Sequence, residues 1–235
     1  ESLDGDAQLL LARAALYAGI IYMVIGEVQE DFAFSDKTVS APPVGPGNMG
    51  TVLDQAVTYF NTAETAAQAA TDPDLVMAAV MLRARARHSR AMWGKIKPSI
   101  AGNPLVADAA AAADALEAIT LAGGVTADVS YQAVYSAATI TNDMASWINS
   151  RKENNIDPQY ATSASNADIT GIALQDPIDN VDDPAVAARV AQFRINGENY
   201  VPLNLASTRQ MHLILAEDAL ANGDGTGFNT HMNHV

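Results

Sequence analysis

Four segments of the chain repeat apolar residues at three- and four-residue intervals, and this spacing constrains the fold more than any other feature. The segments cover residues 6–28, 51–93, 105–121 and 203–222. Because this spacing forms one face of an α-helix, the sequence predicts a mostly α-helical protein. Alanine makes up about a fifth of the chain and also favours closely packed helices. We expect strands only as short pieces between 125 and 201, for example at 131–135, where apolar and polar residues alternate.

The first predicted helix, 6–28, has Asp4 or Asp6 as its N-cap. Its longest apolar stretch, 14–26, is shorter than the roughly 20 residues of a membrane-spanning helix, so we expect a helix that is buried on most sides. The next segment, 31–50, contains Pro42, Pro43 and Pro46. It predicts a long, exposed loop outside the core.

The helices that follow are predicted to form hairpins. Segments 51–70 and 74–93 are similar in length and separated by Thr71, Asp72 and Pro73, which indicates an antiparallel pair. A fourth helix, 105–121, ends at Gly123 and Gly124. Shorter helices are expected at 142–149 and 184–193, a strong one at 202–222, and a last one from 228. We interpret 1–235 as one domain with hairpins at 6–122, an irregular insertion at 123–201 and an incomplete hairpin at 202–235.

The composition excludes several functions. There are 13 Lys and Arg against 27 Asp and Glu, a net charge of −14, so binding to nucleic acid or to an anionic membrane is disfavoured. Cysteine is absent, which rules out disulfides, thiol catalysis and cysteine metal sites in this chain. Neither a Gly-x-Ser-x-Gly elbow nor a His-Glu-x-x-His motif occurs. We therefore expect neither an enzyme nor a cofactor. Because the chain starts with Glu1, we expect a processed protein or part of a longer one.

Two charged clusters each allow two interpretations. Arg83, Arg87 and Arg90 share a helix face with Arg85 nearby. They form either an anion clamp or a structural face, which is solvated or paired with the acidic neighbouring helices. We favour the structural face. A group of loop carboxylates before Pro184 either binds calcium or caps the next helix, and we favour the cap. This group comprises Asp176, Asp179, Asp182 and Asp183.

Histidines and aromatic residues complete the candidates. His231 and His234 share a predicted helix face and are interpreted as a surface pair rather than a metal site, with His88 and His212 elsewhere. The glycine-rich segment 222–227 follows a helix and lacks the Lys of a phosphate-binding loop, so it predicts a flexible turn. Trp147 and Tyr160 lie in the irregular middle. They are candidate ligand-binding residues, because sugars stack on aromatic rings, and packing in the core is the other interpretation.

The last strong helix carries a family resemblance. Residues 211–219 read Met-His-Leu-Ile-Leu-Ala-Glu-Asp-Ala, and Gly223 and Asp224 follow. This resembles the C-terminal helix signature of the SusD/RagB family, and 229–235 stands where the family continues into an Asn-x-x-Arg helix. Segments 14–27, 54–63 and 84–87 resemble the family's early helix and its tetratricopeptide-like hairpin. Family members are longer and carry a lipidated N-terminal Cys, so we expect a partial or shortened member.

The resemblance implies a fold and a function. The fold is a tetratricopeptide-like scaffold of helical hairpins on the periplasmic side or surface of a Gram-negative-type bacterium. The implied function is non-catalytic capture of a glycan or peptide beside a TonB-dependent outer-membrane transporter. The alternative is a structural subunit that braces a larger membrane complex and has no ligand. An aromatic cluster in a pocket favours the first function, and a large apolar contact surface favours the second.

Glu217 is the one residue of the signature for which the residues themselves predict a role. It lies beside an apolar stripe formed by Leu213, Ala216 and Leu220. A carboxylate there is partly desolvated and needs a cationic or hydrogen-bonding partner. The sequence does not identify this partner, for which Arg13 and the arginines of the third helix are candidates. We expect Glu217 to tie the last helix to an earlier one as a structural residue, not as a ligand-binding one.

Overall fold

A computed structural model describes residues 4–36, 38–96, 102–151 and 199–235. Within these residues the chain is mostly α-helical, as the apolar spacing predicts. Only two short strands interrupt the helices of the described part. In chain order the elements are α1 (Gly5–Val28), a short 3-10 turn (Pro46–Asn48), α2 (Gly50–Ala69), α3 (Pro73–Ile96), α4 (Ala109–Leu121), β1 (Ser130–Ala133), α5 (Asp143–Ala145), a π-helical turn (Ser146–Ser150), β2 (Leu203–Ser207), α6 (Thr208–Ala221) and α7 (Gly225–Met232).

The chain divides into two compact units. The first comprises Glu1–Tyr131 together with Leu205–Val235, and the second comprises Gln132–Asn204. The first unit contains the six helices of eight or more residues that the described part of the chain forms, and it contains the hydrophobic core cluster. Strands β1 and β2 form a two-stranded sheet where the chain passes from one unit to the other. In the second unit, Asn142 caps α5 and its side-chain amide donates to the Val201 carbonyl over 2.7 Å.

Helices α1 and α2 approach closely because glycines face large side chains. A Cβ atom at Gly19 would lie 2.5 Å from the Phe60 ring, and one at Gly26 would lie 2.7 Å from the Leu53 side chain. The later residue of α1, Gly26, meets the earlier residue of α2, Leu53, so the two helices are antiparallel. Replacing either glycine by alanine would overpack this contact, which typically costs about 1–3 kcal/mol.

Helices α2 and α3 are also antiparallel, and α4 packs on the other side of α3. Arg83 of α3 contacts Asn61 of α2, whereas Arg90, two turns further along α3, contacts Asp54, seven residues earlier in α2. On its other side Arg83 binds Asp114 of α4. The predicted antiparallel hairpin of the second and third helices is confirmed. In the first unit α1, α2, α3, α4, α6 and α7 therefore pack in a row, each chiefly against its neighbours.

The prediction that α1 is buried on most sides is wrong. Its inward face is buried and combines small residues such as Ala12 and Gly19 with the larger Leu16 and Met23, but its other face is exposed. Only 33% of its most apolar window is buried. Among the described helices, α1 alone is long and apolar enough to cross a membrane, a property that core helices of soluble proteins and signal sequences share. The predicted cap is confirmed, since Asp4 accepts from the Ala7 amide.

The loop between α1 and α2 is mostly exposed, as its prolines predict, although its last residue, Met49, is fully buried. Two phenylalanines anchor it to the helices. Phe34 stacks on Tyr22 of α1 with ring centroids 5.3 Å apart, and Phe32 meets Phe34 edge to face. Asp31 accepts from the Gly45 amide at 2.7 Å, which closes the base of the loop.

Three predicted boundaries need correction. The fourth helix begins at Ala109 rather than 105, because Asp108 is extended and caps it by accepting from the Ala111 amide. Residues 203–207 form β2 instead of the start of the last strong helix, so strand content extends beyond 201. Helix α6 begins at Thr208, and Ser207 caps it. The turn at 222–227 is shorter than predicted, because Asp224 caps α7 from Gly225 onward.

Candidate functional site

Arg83 of α3 is the centre of a buried ion-pair network. Its guanidinium donates two hydrogen bonds to Asp114, over 3.0 and 2.9 Å, and also binds Glu64 and the Asn61 amide oxygen. Arg83 is 7% exposed and Asp114 is 4% exposed. Burial alone lowers the pKa of Arg83, but its hydrogen bonds to Asp114 and Glu64 and their charges outweigh this, so the pKa is raised. The network joins α2, α3 and α4.

The neighbouring arginines also have carboxylate partners. Arg87 lies 3.0 Å from Asp114 and donates to the Ala110 carbonyl, and Arg90 pairs with Asp54 at 3.2 Å on the exposed side. These contacts confirm the ion-pair interpretation of the cluster over the anion clamp. The side of α3 that carries Arg83 and Arg87 is therefore part of the scaffold.

A cleft opens on another side of α3, next to the end of α1 and to α6. We call it the α3–α6 cleft; its volume is about 720 Å³. Every residue that lines it belongs to the first unit. Its polar lining includes Glu27, Glu30, Arg85, His88, Ser89, Gln210 and Glu217. Its apolar lining includes Val28, Met92, Trp93, Ile96, Leu213 and Ile214. A concave, largely apolar site with a few convergent polar groups is typical of ligand-binding sites.

Glu27 and Arg85 form one polar group of the cleft. The Arg85 guanidinium donates to both carboxylate oxygens of Glu27, over 2.9 and 2.5 Å, and its third contact is the Leu205 carbonyl at 2.8 Å. The Ser89 hydroxyl donates to Glu27 at 2.8 Å. These bonds fix the side chains before any ligand arrives. A carboxylate has about four acceptor positions, so Glu27 retains capacity toward the cleft.

Glu217 forms the second polar group, together with His88. Its carboxylate lies 2.8 Å from the His88 ring and accepts from the Val106 amide at 2.9 Å. The prediction that Glu217 ties α6 to an earlier helix is confirmed. Its partner on α3 is His88, which was not among the candidate partners, Arg13 and the arginines. The Glu217 side chain is 30% exposed and lines the cleft, so the expectation that it does not bind a ligand stays a prediction.

The apolar wall of the cleft includes Trp93, Met92, Ile96 and Leu213. The indole N–H of Trp93 donates to the Gly26 carbonyl at 2.7 Å, which sets the orientation of the ring. Met92, Ile96 and Leu213 are 39, 51 and 44% exposed, so the wall is open to a ligand. Sequence reasoning missed Trp93 because it extends a helix with apparent core periodicity. The available signal was its position one helical turn after Ser89.

Three histidines meet where α6 packs on α7. His212 is buried, and its Nδ1 lies 3.1 Å from Nδ1 of His231, while its ring stacks on His234 with centroids 4.8 Å apart. Burial lowers the pKa of His212, and His234 and His231 lower it further against the opposing effect of the Val125 carbonyl. The predicted surface pair is therefore a partly buried trio. Nowhere in the described residues do three or more His, Cys, Asp or Glu side chains converge as a metal site requires.

Of the two ligand-binding residues expected from the sequence, the one that the structure describes, Trp147, does not line the cleft. Trp147 belongs to the second unit, on the π-helical turn, and is 41% exposed. Tyr160 lies outside the described residues, so the proposed platform with Trp147 stays a prediction. The four aspartates of the candidate calcium loop and the helix expected at 184–193 also lie outside them. The four aspartates are Asp176, Asp179, Asp182 and Asp183.

Comparisons of the chain with protein-family models, curated proteins and solved structures return no match.

Proposed function

We propose that the protein is a non-catalytic binding component of an outer-membrane nutrient-uptake complex, and that the α3–α6 cleft holds its ligand. The observation that carries this proposal is the combination of Trp93 with fixed carboxylates around a space of about 720 Å³. The Trp93 ring offers an apolar face, while Glu27 and Glu217 accept O–H or N–H groups. A short glycan or peptide matches both properties.

The fixed state of the polar groups supports ligand binding. Glu27 is held by Arg85 and Ser89, and Glu217 is held by His88 and the Val106 amide. Groups locked by such contacts lose little conformational entropy when a ligand arrives, which favours affinity. The location at the periplasmic side or cell surface, the tetratricopeptide-like character of the hairpins and the TonB-dependent transporter as a partner rest on the SusD/RagB resemblance and belong to the same proposal.

Calorimetric titration tests the proposal, with neutral oligosaccharides and short peptides as separate probe sets. Leu213 lines the cleft and is 44% exposed, so Leu213→Lys places a charge on the apolar wall without disturbing a buried contact. We expect it to weaken binding at least tenfold, since a buried unpaired charge is costly.

Leu220→Lys is the matched control, because Leu220 lies on the same helix, is 40% exposed and does not line the cleft. It should bind like the unmodified protein. Equal loss in both variants, or no binding of either probe set, would contradict the proposal.

The structural-subunit alternative has its own supporting observation, the exposed apolar face of α1. In that case the protein braces a membrane complex and binds no small ligand. Identification of the polypeptides that co-purify with the native protein separates the two candidates. A transporter barrel supports the uptake complex, whereas a different membrane complex, retained by Leu213→Lys, supports the structural subunit.

A further inference from the structure

The charges that line the α3–α6 cleft do not cancel. Of the described residues in its lining, Glu27, Glu30 and Glu217 carry carboxylates, whereas Arg85 alone carries a guanidinium. A cleft with an excess of one sign of charge concentrates the electric field, which raises the local concentration of ions of the opposite sign. The lining therefore favours a ligand with a positive charge.

Arg85 compensates one of these carboxylates. Its guanidinium donates to both oxygens of Glu27, over 2.9 and 2.5 Å, and to the Leu205 carbonyl over 2.8 Å. The Ser89 hydroxyl adds a fourth bond, again to Glu27. Glu27 and Arg85 thus form an internal pair whose charges offset each other, so neither of them determines the charge of the ligand.

Glu217 has no such compensation. Among the described residues, its carboxylate has no arginine or lysine partner: one oxygen lies 2.8 Å from the His88 ring, and the other accepts from the Val106 amide over 2.9 Å. A carboxylate offers about four acceptor positions, so Glu217 retains capacity for a donor from the cleft. Its side chain is 30% exposed and lines the cleft. A positively charged group beside it would compensate a partly desolvated charge.

The apolar part of the lining suits the rest of such a ligand. Trp93, Met92, Ile96 and Leu213 line the same cleft as Glu217. An indole ring attracts an ammonium or guanidinium group through its quadrupole. Apolar side chains cover the methylene stems on which lysine and arginine carry their charges. A neutral sugar would leave the charge of Glu217 uncompensated, and an anionic ligand would be repelled by it.

We propose that the α3–α6 cleft binds a short basic peptide, with the ammonium or guanidinium group of a lysine or arginine side chain at the Glu217 carboxylate. This rests on the proposed function and narrows its ligand, from a glycan or peptide to a basic peptide. The volume of about 720 Å³ is within the range of pockets that hold ligands of this size. Glu217 then recognises the ligand as well as tying α6 to α3, in contrast to the purely structural role expected from the sequence.

Calorimetric titration with two blocked tripeptides tests the proposal. The peptide acetyl-Ala-Lys-Ala-amide carries one positive charge, and its norleucine analogue has the same four-carbon stem without that charge. We expect the lysine peptide to bind about tenfold more tightly at low salt. The titrations are run at about pH 8, above the ordinary range in which histidine gains a proton. Higher salt should reduce the preference, because it screens the charges of a partly exposed site.

A pair of variants on α6 locates the preference. Glu217→Gln removes the charge, while its amide oxygen can still accept from the Val106 amide. It should bind both peptides about equally, with little change for the norleucine peptide, which also shows that the cleft is intact. Asp218→Asn is the matched control, because Asp218 is the next residue of the same helix and does not line the cleft. It removes the same charge from the chain and should keep the preference for lysine.

The proposal is overturned if the unmodified protein binds both peptides equally, or if Glu217→Gln keeps the preference for lysine. It is also overturned if Asp218→Asn loses the preference as fully as Glu217→Gln, because the general acidity of the chain would then be the cause. A neutral oligosaccharide that binds where neither peptide does, and that Leu213→Lys weakens, would overturn this inference and leave the proposed function standing. Absence of binding by every probe would contradict both.

Discussion

Two polar clusters on α3 use the same kinds of side chain, but their surroundings differ. Arg83 and Asp114 are almost fully buried between α2 and α4. Glu217 and His88 sit at the edge of an open cleft, with side chains 30 and 15% exposed. Both clusters join α3 to another helix. The difference shows that an ion pair alone does not indicate a site: what matters is whether space for a ligand remains beside it.

The first cluster should dominate stability. We expect Arg83→Ala to lower the free energy of unfolding by about 3–5 kcal/mol, because it leaves the buried Asp114 carboxylate without its bidentate partner. Urea unfolding followed by circular dichroism measures the change. A loss below about 1 kcal/mol would mean that solvent reaches the network. The two clusters would then not differ in burial as described.

Glu217→Ala should have an intermediate effect of about 1–3 kcal/mol, because it leaves the Val106 amide without an acceptor in a partly buried position. Glu217→Gln is the matched variant. Its amide oxygen can still accept from Val106, so it should retain most of the stability. Equal losses in both variants would show that the charge opposite His88, rather than the amide contact, holds α6 in place.

Arg90→Ala should change stability by only about 0–1 kcal/mol, since Arg90 and Asp54 have side chains 43 and 57% exposed. The same unfolding experiment provides the measurement. If Arg90→Ala lowered the free energy of unfolding as much as Arg83→Ala, burial would not determine how much each arginine contributes to stability.

Protonation of the histidine trio should leave the free energy of unfolding unchanged at neutral pH and lower it measurably in acid. The pKa values of His212 and His231 are lowered below 6.5 by burial and by neighbouring histidines, so the fold favours their neutral forms. As the pH falls, these histidines therefore take up protons in the unfolded chain at a higher pH than in the folded protein. Stability should be complete above about pH 6.5 and fall as the pH drops through the lowered values. Unfolding midpoints from about pH 7 to about pH 5 test this, and removing His231 and His234 as Gln variants should reduce the slope.

Local sequence signals predicted much of the fold. Apolar spacing located the helices within a few residues, and Asp4 was correctly identified as a cap. Periodicity could not show which side of α1 is covered, because both sides are apolar. It also misassigned 203–207, because the helical spacing of the residues that follow was extended back over them. Leu203 and Leu205 are two residues apart, which is the spacing of one face of a strand, and this segment pairs with β1.

The candidate site was harder to predict. Arginine pairing follows from charge and spacing along neighbouring helices, so the scaffold role of the Arg83 side was accessible from the sequence. The cleft brings together residues that are more than a hundred positions apart, such as His88 and Glu217. Only the tertiary packing of α6 on α3 makes them neighbours. Aromatic residues in an irregular segment therefore looked like better candidates than a tryptophan within a helix.

The most direct test of the central claim, that the open side of α3 binds the ligand, is the emission of Trp93 during ligand titration. In a Trp147→Phe variant Trp93 is the only tryptophan, since the chain has two. We predict that the oligosaccharide or peptide bound in calorimetry shifts its emission with the same midpoint, and that Leu213→Lys abolishes the shift. A ligand that binds without changing Trp93 emission, but changes Trp147 emission in a Trp93→Phe variant, would contradict the account and place binding in the second unit.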